Sequence, residues 1–218
     1  MHQVKIIGDS KNYSVGKIIG LGRNYLDHIR ELGNKVPERA VIFCKPASSL
    51  LADGGMIEIP GYSNDCHHEL ELALLVGKRG KHIQEKSSLE HLAGYAVALD
   101  LTLRDTQGEL KSAGLPWEIA KGFDTSCPLS DFTAIEKVSN PNNLELCLKV
   151  NGEIRQQGNT AQMMRSVEQI IAELSTFFTL ETGDIILTGT PAGVSRIKPG
   201  DHLEGTIEGV GSLQVSVA

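Results

Sequence analysis

The chain has no apolar run near the roughly 18 residues that a membrane-spanning helix needs, and no lysine- or arginine-rich stretch anywhere in its 218 residues. The first absence argues against a membrane partner. The second, with a formal net charge of -6, argues against a general nucleic-acid binder, which needs concentrated positive charge opposite phosphate. An anionic small substrate stays open, because a local pocket can be positive on an acidic protein. Cysteine is scarce: Cys44, Cys66, Cys127 and Cys147 include no CxxC pair. That argues against a disulfide framework and a zinc-thiolate site, and reads more simply as small buried thiols in a cytoplasmic protein. The opening "MHQVKIIGDSKNYSVG" has neither the apolar segment of a signal peptide nor the arginines of a transit peptide. Nucleotide-binding glycine motifs are missing too. "TGTPAGV" (188–194) is not GxxxxGK[ST], and "GLGRNY" (20–25) is a fragment of GxGxxG at most.

What is present fits a globular domain with a real core, with 40% hydrophobic and 22% charged residues. Without repeats, low-complexity segments or linkers, one domain over 1–218 is expected, residues 1–15 forming a short N-terminal strand extension. Strand signals dominate. "VKII" and "KIIG" flank a turn at Gly8-Asp9-Ser10, and "LELCLKV" (144–150) alternates and runs into Asn151-Gly152, a type I′ hairpin signal. "DIILTG" (184–189), "HLEGTIEGV" and "SLQVSVA" add further strands, the last two joined near Gly211. Helices are fewer. "NYLDHIREL" (24–32) has Leu26, Ile29 and Leu32 at helical spacing and Gly33 as a stop. Residues 166–178 begin with a capping-box pair, Ser166 and Gln169, and offer Ile170, Ile171, Leu174, Phe177 and Phe178 as one apolar face. The pattern predicts a β-rich α+β fold without the βα alternation of a doubly wound sheet.

The stretch "HHELELALLVG" (67–77) carries the sharpest chemical signal. On a helix Glu69 and Glu71 would point about 200° apart, whereas on a strand they share a face opposite Leu70, Leu72 and Leu74. The leucine alternation favours the strand. Paired buried carboxylates repel and need a partner, and a hard divalent cation is the natural one. Asp100 closes a second apolar strand, "GYAVALD" (94–100), and is a candidate third ligand. A solvent-facing charged edge and a strand-end turn residue explain the same residues.

Other positions are ambiguous by themselves. His28 and Glu31 are i and i+3 on the short helix, where a carboxylate fixes the tautomer of an imidazole base, or where two surface side chains simply meet. Lys121 in "LPWEIAKGFD" reads equally as a solvated lysine. Thr188, Thr190 and nearby N–H groups suit a carboxylate or a plain turn.

As a set, "GLGRNYLDHIRELG", "KPASSL", "HHELELALLVG", "ALDLTLRDTQ", "GLPWEIAKGFDTSCPLS", "LKVNGEIRQQGNT" and "GDIILTGTPAGV" resemble the fumarylacetoacetate hydrolase family, from about residue 16 onward. The likeness is to its short acylpyruvase and fumarylpyruvate hydrolase members; the large N-terminal domain of fumarylacetoacetase and the leader of mitochondrial members have no counterpart here. The resemblance implies a mixed β-roll, a homodimer, and Mg2+ or Mn2+ held by Glu69, Glu71 and Asp100. It implies a lid over "NYLDHIRELG" bearing the catalytic pair His28 and Glu31, a catalytic Lys121, and substrate contacts from Arg23, Gln107 and Thr190. The expected activity is hydrolysis of the C–C bond of an acylpyruvate, a small anionic 2-oxo acid, with His28–Glu31 activating water. Oxaloacetate decarboxylation or tautomerisation and 2-hydroxydienoate isomerisation are the alternatives, since all use the same enolate. A small-acid binding protein without turnover is the non-enzyme alternative. Leu32, Asn34 and Lys35 are expected to tune specificity, and His67 and His68 receive no ligand role.

Overall fold

A computed structural model describes residues 2–33 and 35–218; the expected specificity position Asn34 lies outside the described residues. Two sheets pack face to face. The larger runs in the order Val41–Lys45, Ile18–Gly22, Ile185–Leu187, Leu70–Val76, Leu92–Leu99, Cys127–Leu129, Leu50–Ala52, with Thr133–Ala134 also pairing with Leu92–Leu99. The smaller runs Glu153–Asn159, Glu145–Val150, His202–Ile207, Gly211–Val217, Met56–Ile57. Neighbours are mostly antiparallel, with parallel pairs at Ile185–Leu187 on Ile18–Gly22, Cys127–Leu129 on Leu50–Ala52 and Gly211–Val217 on Met56–Ile57. This is the β-rich α+β fold that the strand pattern predicted and the mixed β-roll that the family resemblance implied.

The alternation read in "LELALL" holds, but neither face meets solvent. Every residue of Leu70–Val76 is buried. Leu70, Leu72, Leu74 and Val76 join the core between the sheets, while Ala73 and Leu75 pack on the other face with Ile18, Ala96, Ala98 and Ile185. The strand is an interior one, so a charged solvent edge is ruled out for Glu71.

Asn151 and Gly152 both have positive φ, 52° and 82°, as the type I′ turn between Glu145–Val150 and Glu153–Asn159 requires. Helix Val167–Phe177 opens on the reciprocal Ser166–Gln169 capping box. Its face needs one correction. Ile170, Ile171 and Leu174 are buried and Phe178 is packed against the core, but Phe177 is 55% exposed because it falls on the outer side of the last turn. The N-terminal strand Gln3–Lys5 pairs with Asn12–Ser14, and "KIIG" belongs instead to the large sheet. Two helices escaped the sequence pattern, Arg104–Ala113 and Glu118–Lys121. The first buries only Thr106, so it has no apolar stripe to read.

Leu174→Ala is expected to lower unfolding free energy by about 2–5 kcal/mol, and Phe177→Ala by no more than about 0.5 kcal/mol, both measured by urea denaturation. Equal effects would contradict the face assigned here.

Candidate active site

The acidic residues meet because two adjacent strands end together. Leu70 pairs with Leu99, so Glu69 and Asp100 are the next residues opposite one another, joined by an Asp100 N–H to Glu69 O bond of 2.8 Å. Glu71 stands opposite Ala98 on the same face. One carboxylate oxygen from each of Glu69, Glu71 and Asp100 falls within 4.8 Å of the others, and all three residues are buried.

Neighbouring cations hold this charge. Lys121 Nζ donates to Glu69 Oε2 at 2.8 Å and to Asp100 Oδ2 at 2.5 Å, and Arg104 Nη2 donates to Glu69 Oε1 at 2.5 Å. Lys45, fully buried at the end of its strand, lies 2.8 Å from Asp100 Oδ1 as a charge contact outside hydrogen-bonding alignment, and donates to Ser126 O at 3.0 Å. Burial pushes the Glu69 carboxyl up, but the Lys121 and Arg104 charges overcome it and hold it well below the usual carboxylate range. Glu71 goes the other way: burial, then the charges of Asp100 and Glu69, push it well above that range despite the Gly189 N–H it accepts at 2.6 Å. For Lys121, burial disfavours the ammonium, and Asp100 and Glu69 more than reverse this, so it stays charged.

This donor set fits a hard divalent cation. The ligands would all be carboxylate oxygens, the number suits Mg2+ or Mn2+ with places left for water and substrate, and the buried Asp100 Oδ1 accepts no hydrogen bond. The neighbouring ammonium of Lys121 takes part of the neutralising role that such an ion would fill.

Above the carboxylates lies a cavity of about 60 Å³ lined by Arg23, His28, Glu69, Glu71, Gln107, Lys121 and Thr190. The structure thus brings seven of the nine expected site residues onto one small space. Asp100 lies buried beneath it, and Glu31 stands behind His28. Phe43, Arg104, Lys111 and Trp117 complete the wall together with Leu32. Helix Leu26–Glu31 brings His28 to the cavity wall. His28 Nδ1–H donates to Glu31 Oε2 at 3.3 Å, and Glu31 Oε1 accepts the Gly193 N–H at 2.9 Å, so one carboxylate orients the imidazole and fastens the helix to the "TGTPAGV" loop. Asn24 anchors the helix base, donating to Thr188 O at 2.9 Å and accepting the Arg165 N–H at 3.0 Å. Arg23 just before it has φ 63°, a conformation that non-glycine residues adopt rarely and chiefly where function demands it.

Arg104, Lys45 and Gln156 were missed in the sequence. Arg104 and Gln107 are i and i+3 on their helix and bonded at 2.9 Å, a spacing visible only once the helix is known. The available signal for Lys45 was a lone lysine closing the apolar strand "VIFCK". His67 and His68 are tied to neighbouring side chains. His67 Nε2–H donates to Asp65 at 3.0 Å, and burial lowers the pKa of His68 to about 4, so it stays neutral. The cysteines are unpaired, and burial pushes the thiols of Cys66 and Cys127 up to about 12. Thr188 serves the fold, its hydroxyl donating to Leu72 O at 2.9 Å.

A family model, "Fumarylacetoacetate (FAA) hydrolase C-terminal", matches residues 17–218. The chain belongs to the fumarylacetoacetate hydrolase family. "Oxaloacetate tautomerase YcgM" of Escherichia coli (strain K12) is 49% identical over 199 residues, 91% of each chain. "Oxaloacetate tautomerase FAHD1, mitochondrial" of Bos taurus is 46% identical over 209 residues, 95% of each chain. The crystal structure of fumarylpyruvate hydrolase from Pseudomonas aeruginosa in complex with Mn2+ and pyruvate superposes with a TM-score of 0.95 at 37% identity, covering 99% of this chain and 95% of that one. Family members are enzymes, and the names of the relatives at 46–49% identity match the oxaloacetate alternative better than acylpyruvate hydrolysis. Among the described residues no helix is long and apolar enough to cross a membrane.

Glu71 must lose its proton to take a cation, so metal affinity is expected to rise with pH through its raised pKa and to fall below it. Calorimetry of Mn2+ binding in buffers of different ionisation enthalpy should show proton release on binding. Glu69→Ala with Glu71→Ala should abolish binding; unchanged affinity in that variant, or pH-independent binding without proton release, would contradict the site.

Proposed function

We propose that the protein is a divalent-cation-dependent enzyme that interconverts the keto and enol forms of oxaloacetate. The observation that carries this reading is the convergence, on one small cavity, of a carboxylate triad, a buried ammonium and an imidazole held at Nδ1 by a carboxylate. At about 60 Å³ the cavity is well below the ~300–1,000 Å³ typical of drug-sized ligands, which favours a short acid. The names of the relatives at 46–49% identity support the substrate.

When bound, Mg2+ or Mn2+ would supply Lewis-acid polarisation of the 2-oxo group and orient the acid; Glu69, Glu71 and Asp100 would hold it. The chain's own residues supply the proton chemistry. With Nδ1–H committed to Glu31, His28 has Nε2 to take the proton from C3, and Glu31 stabilises the imidazolium that results. The C–H electron pair moves into the C2–C3 bond as the C2=O π pair moves onto oxygen, and the proton held on His28 Nε2 is returned to that oxygen, which leaves the imidazole neutral again. Lys121 and Arg104 offer fixed positive charge to the developing enolate in a site sheltered from water. Gln107, Arg23 and Thr190 are the substrate-orienting residues of this proposal, and the helix over the cavity excludes bulk water.

Acylpyruvate hydrolysis is the second reading, favoured by the His28–Glu31 contact, which is equally suited to activating water, and by the fumarylpyruvate hydrolase likeness. Decarboxylation of oxaloacetate would pass through the same enolate. A single catalytic domain over residues 1–218, a homodimer and a cytoplasmic location belong to the proposal as family- and sequence-based expectations.

The test is a panel of oxaloacetate, acetylpyruvate and fumarylpyruvate, each with Mn2+ and with EDTA, following enol absorbance and pyruvate together. The expected result is metal-dependent keto–enol equilibration of oxaloacetate with a higher kcat/KM than cleavage of either acylpyruvate; the reverse ranking would replace it with the hydrolase. His28→Ala should slow equilibration by about 100- to 10,000-fold, and a normal rate would remove the imidazole from the mechanism.

A further inference from the structure

The side-chain amide of Gln156 uses all of its hydrogen-bonding positions inside the fold. Oε1 accepts from the Leu70 N–H and from His68 Nδ1–H, both at 3.0 Å. Nε2 donates to Thr190 Oγ1 at 2.8 Å and to Pro191 O at 2.9 Å. Turning the amide over would set N–H against N–H at Leu70 and oxygen against oxygen at Pro191, so one orientation survives. His68 is thereby the Nδ1–H tautomer and accepts at Nε2 from the Ser195 hydroxyl at 2.9 Å. Thr190 is set as well: its hydroxyl donates to Leu70 O at 2.8 Å and accepts from Gln156.

A β-bulge puts Gln156 there. Its strand pairs Leu148 with Gln156 and Lys149 with Ile154, leaving Arg155 with no opposite number. The extra residue turns Gln156 into the core while Ile154, Arg155 and Gln157 stay exposed. The loop 189–193 is pressed onto this strand with no room for a side chain at Gly193 or Gly158. A Cβ on Gly193 would sit 2.2 Å from Arg155 O, and one on Gly158 would sit 2.7 Å from Pro191 Cβ.

The groups that Gln156 joins flank the site. Leu70 lies between Glu69 and Glu71 and His68 precedes them; in the loop, Gly189 N–H holds Glu71 and Gly193 N–H holds Glu31. We propose that Gln156 is a positioning residue for the reaction, tying the strand of the carboxylates to the loop that carries Thr190 and fastens the lid. It touches no reacting atom; it keeps the substrate-binding loop and the closed helix in register with the metal site. The inference rests on the reading that this cavity processes a 2-oxo acid.

Gln156→Glu keeps both accepting contacts and removes both donations to the loop. In the Mn2+-loaded variant, KM for oxaloacetate should rise about tenfold, with kcat falling less, and Mn2+ affinity should stay within about twofold of the parent. Trp117, the single tryptophan of the chain, lines the cavity, and its fluorescence response to pyruvate should shift to about tenfold higher concentration. Thr190→Val cuts the same link from the other side, so the double variant should be little worse than the poorer single one. An unchanged KM and pyruvate response in folded Gln156→Glu would overturn the proposal. So would a loss of activity that follows melting temperature with KM constant, or additive effects in the double variant. Should Gln156→Glu not fold, Gln156→Met, which removes the same donations without adding a charge, must show the KM and fluorescence shifts, and its failure to do so counts equally against the proposal. A parent protein that binds pyruvate but turns over none of the panel acids would sink the proposed function, while the fluorescence arm still decides the role of Gln156.

Discussion

Three carboxylates crowded onto one face of two neighbouring strands set the terms for everything around them. Taking even one carboxylate out of water is costly, and a cluster repels itself unless cations share the space. The chain answers with two buried lysines and a half-buried arginine from three separate elements: Lys45 closing a strand, Lys121 ending one helix and Arg104 opening another. Their partial success shows in the split between Glu69, held ionised, and Glu71, held protonated. Glu71 is the one carboxylate that these protein cations do not hold ionised, and a divalent ion would complete the balance that they begin.

The same arrangement explains why the short helix Leu26–Glu31 and the loop 189–193 belong to the site. Glu71 takes the Gly189 N–H and Glu31 takes the Gly193 N–H, so the two ends of one short loop answer to the metal strand and to the lid. Gly193, at φ 100° and in contact with the backbone of Arg155, could not carry a side chain without lifting that loop. His28 is therefore linked, through Glu31 and this loop, to carboxylates on a different element.

Much of this was legible in the sequence where the signal is local. Period two placed Glu69 and Glu71 together, Asn151-Gly152 marked its hairpin, and Ser166 with Gln169 marked its helix. The remaining features depend on distant partners. Lys121 lies 52 positions from Glu69 and Arg104 lies 35 from it, so no spacing rule links them. Helix Arg104–Ala113 has no apolar stripe, and Phe177 sits at helical spacing yet on the far side of a last turn that has left the core. Gln156 depends on a bulge, which breaks the very alternation by which strands are read. The family likeness, not periodicity, is what pointed to Lys121, Gln107 and Thr190.

The claim at the centre of this account is that Glu69, Glu71 and Asp100 bind a divalent cation with Lys121 beside it. Anomalous diffraction from Mn2+-loaded crystals tests it most directly. The account predicts one strong peak bonded to all three carboxylates, with the Lys121 ammonium moved off its bridge between Glu69 and Asp100. A Mn2+ peak elsewhere, or density at saturating Mn2+ in which Lys121 still bridges the two carboxylates with no ion between them, would contradict it.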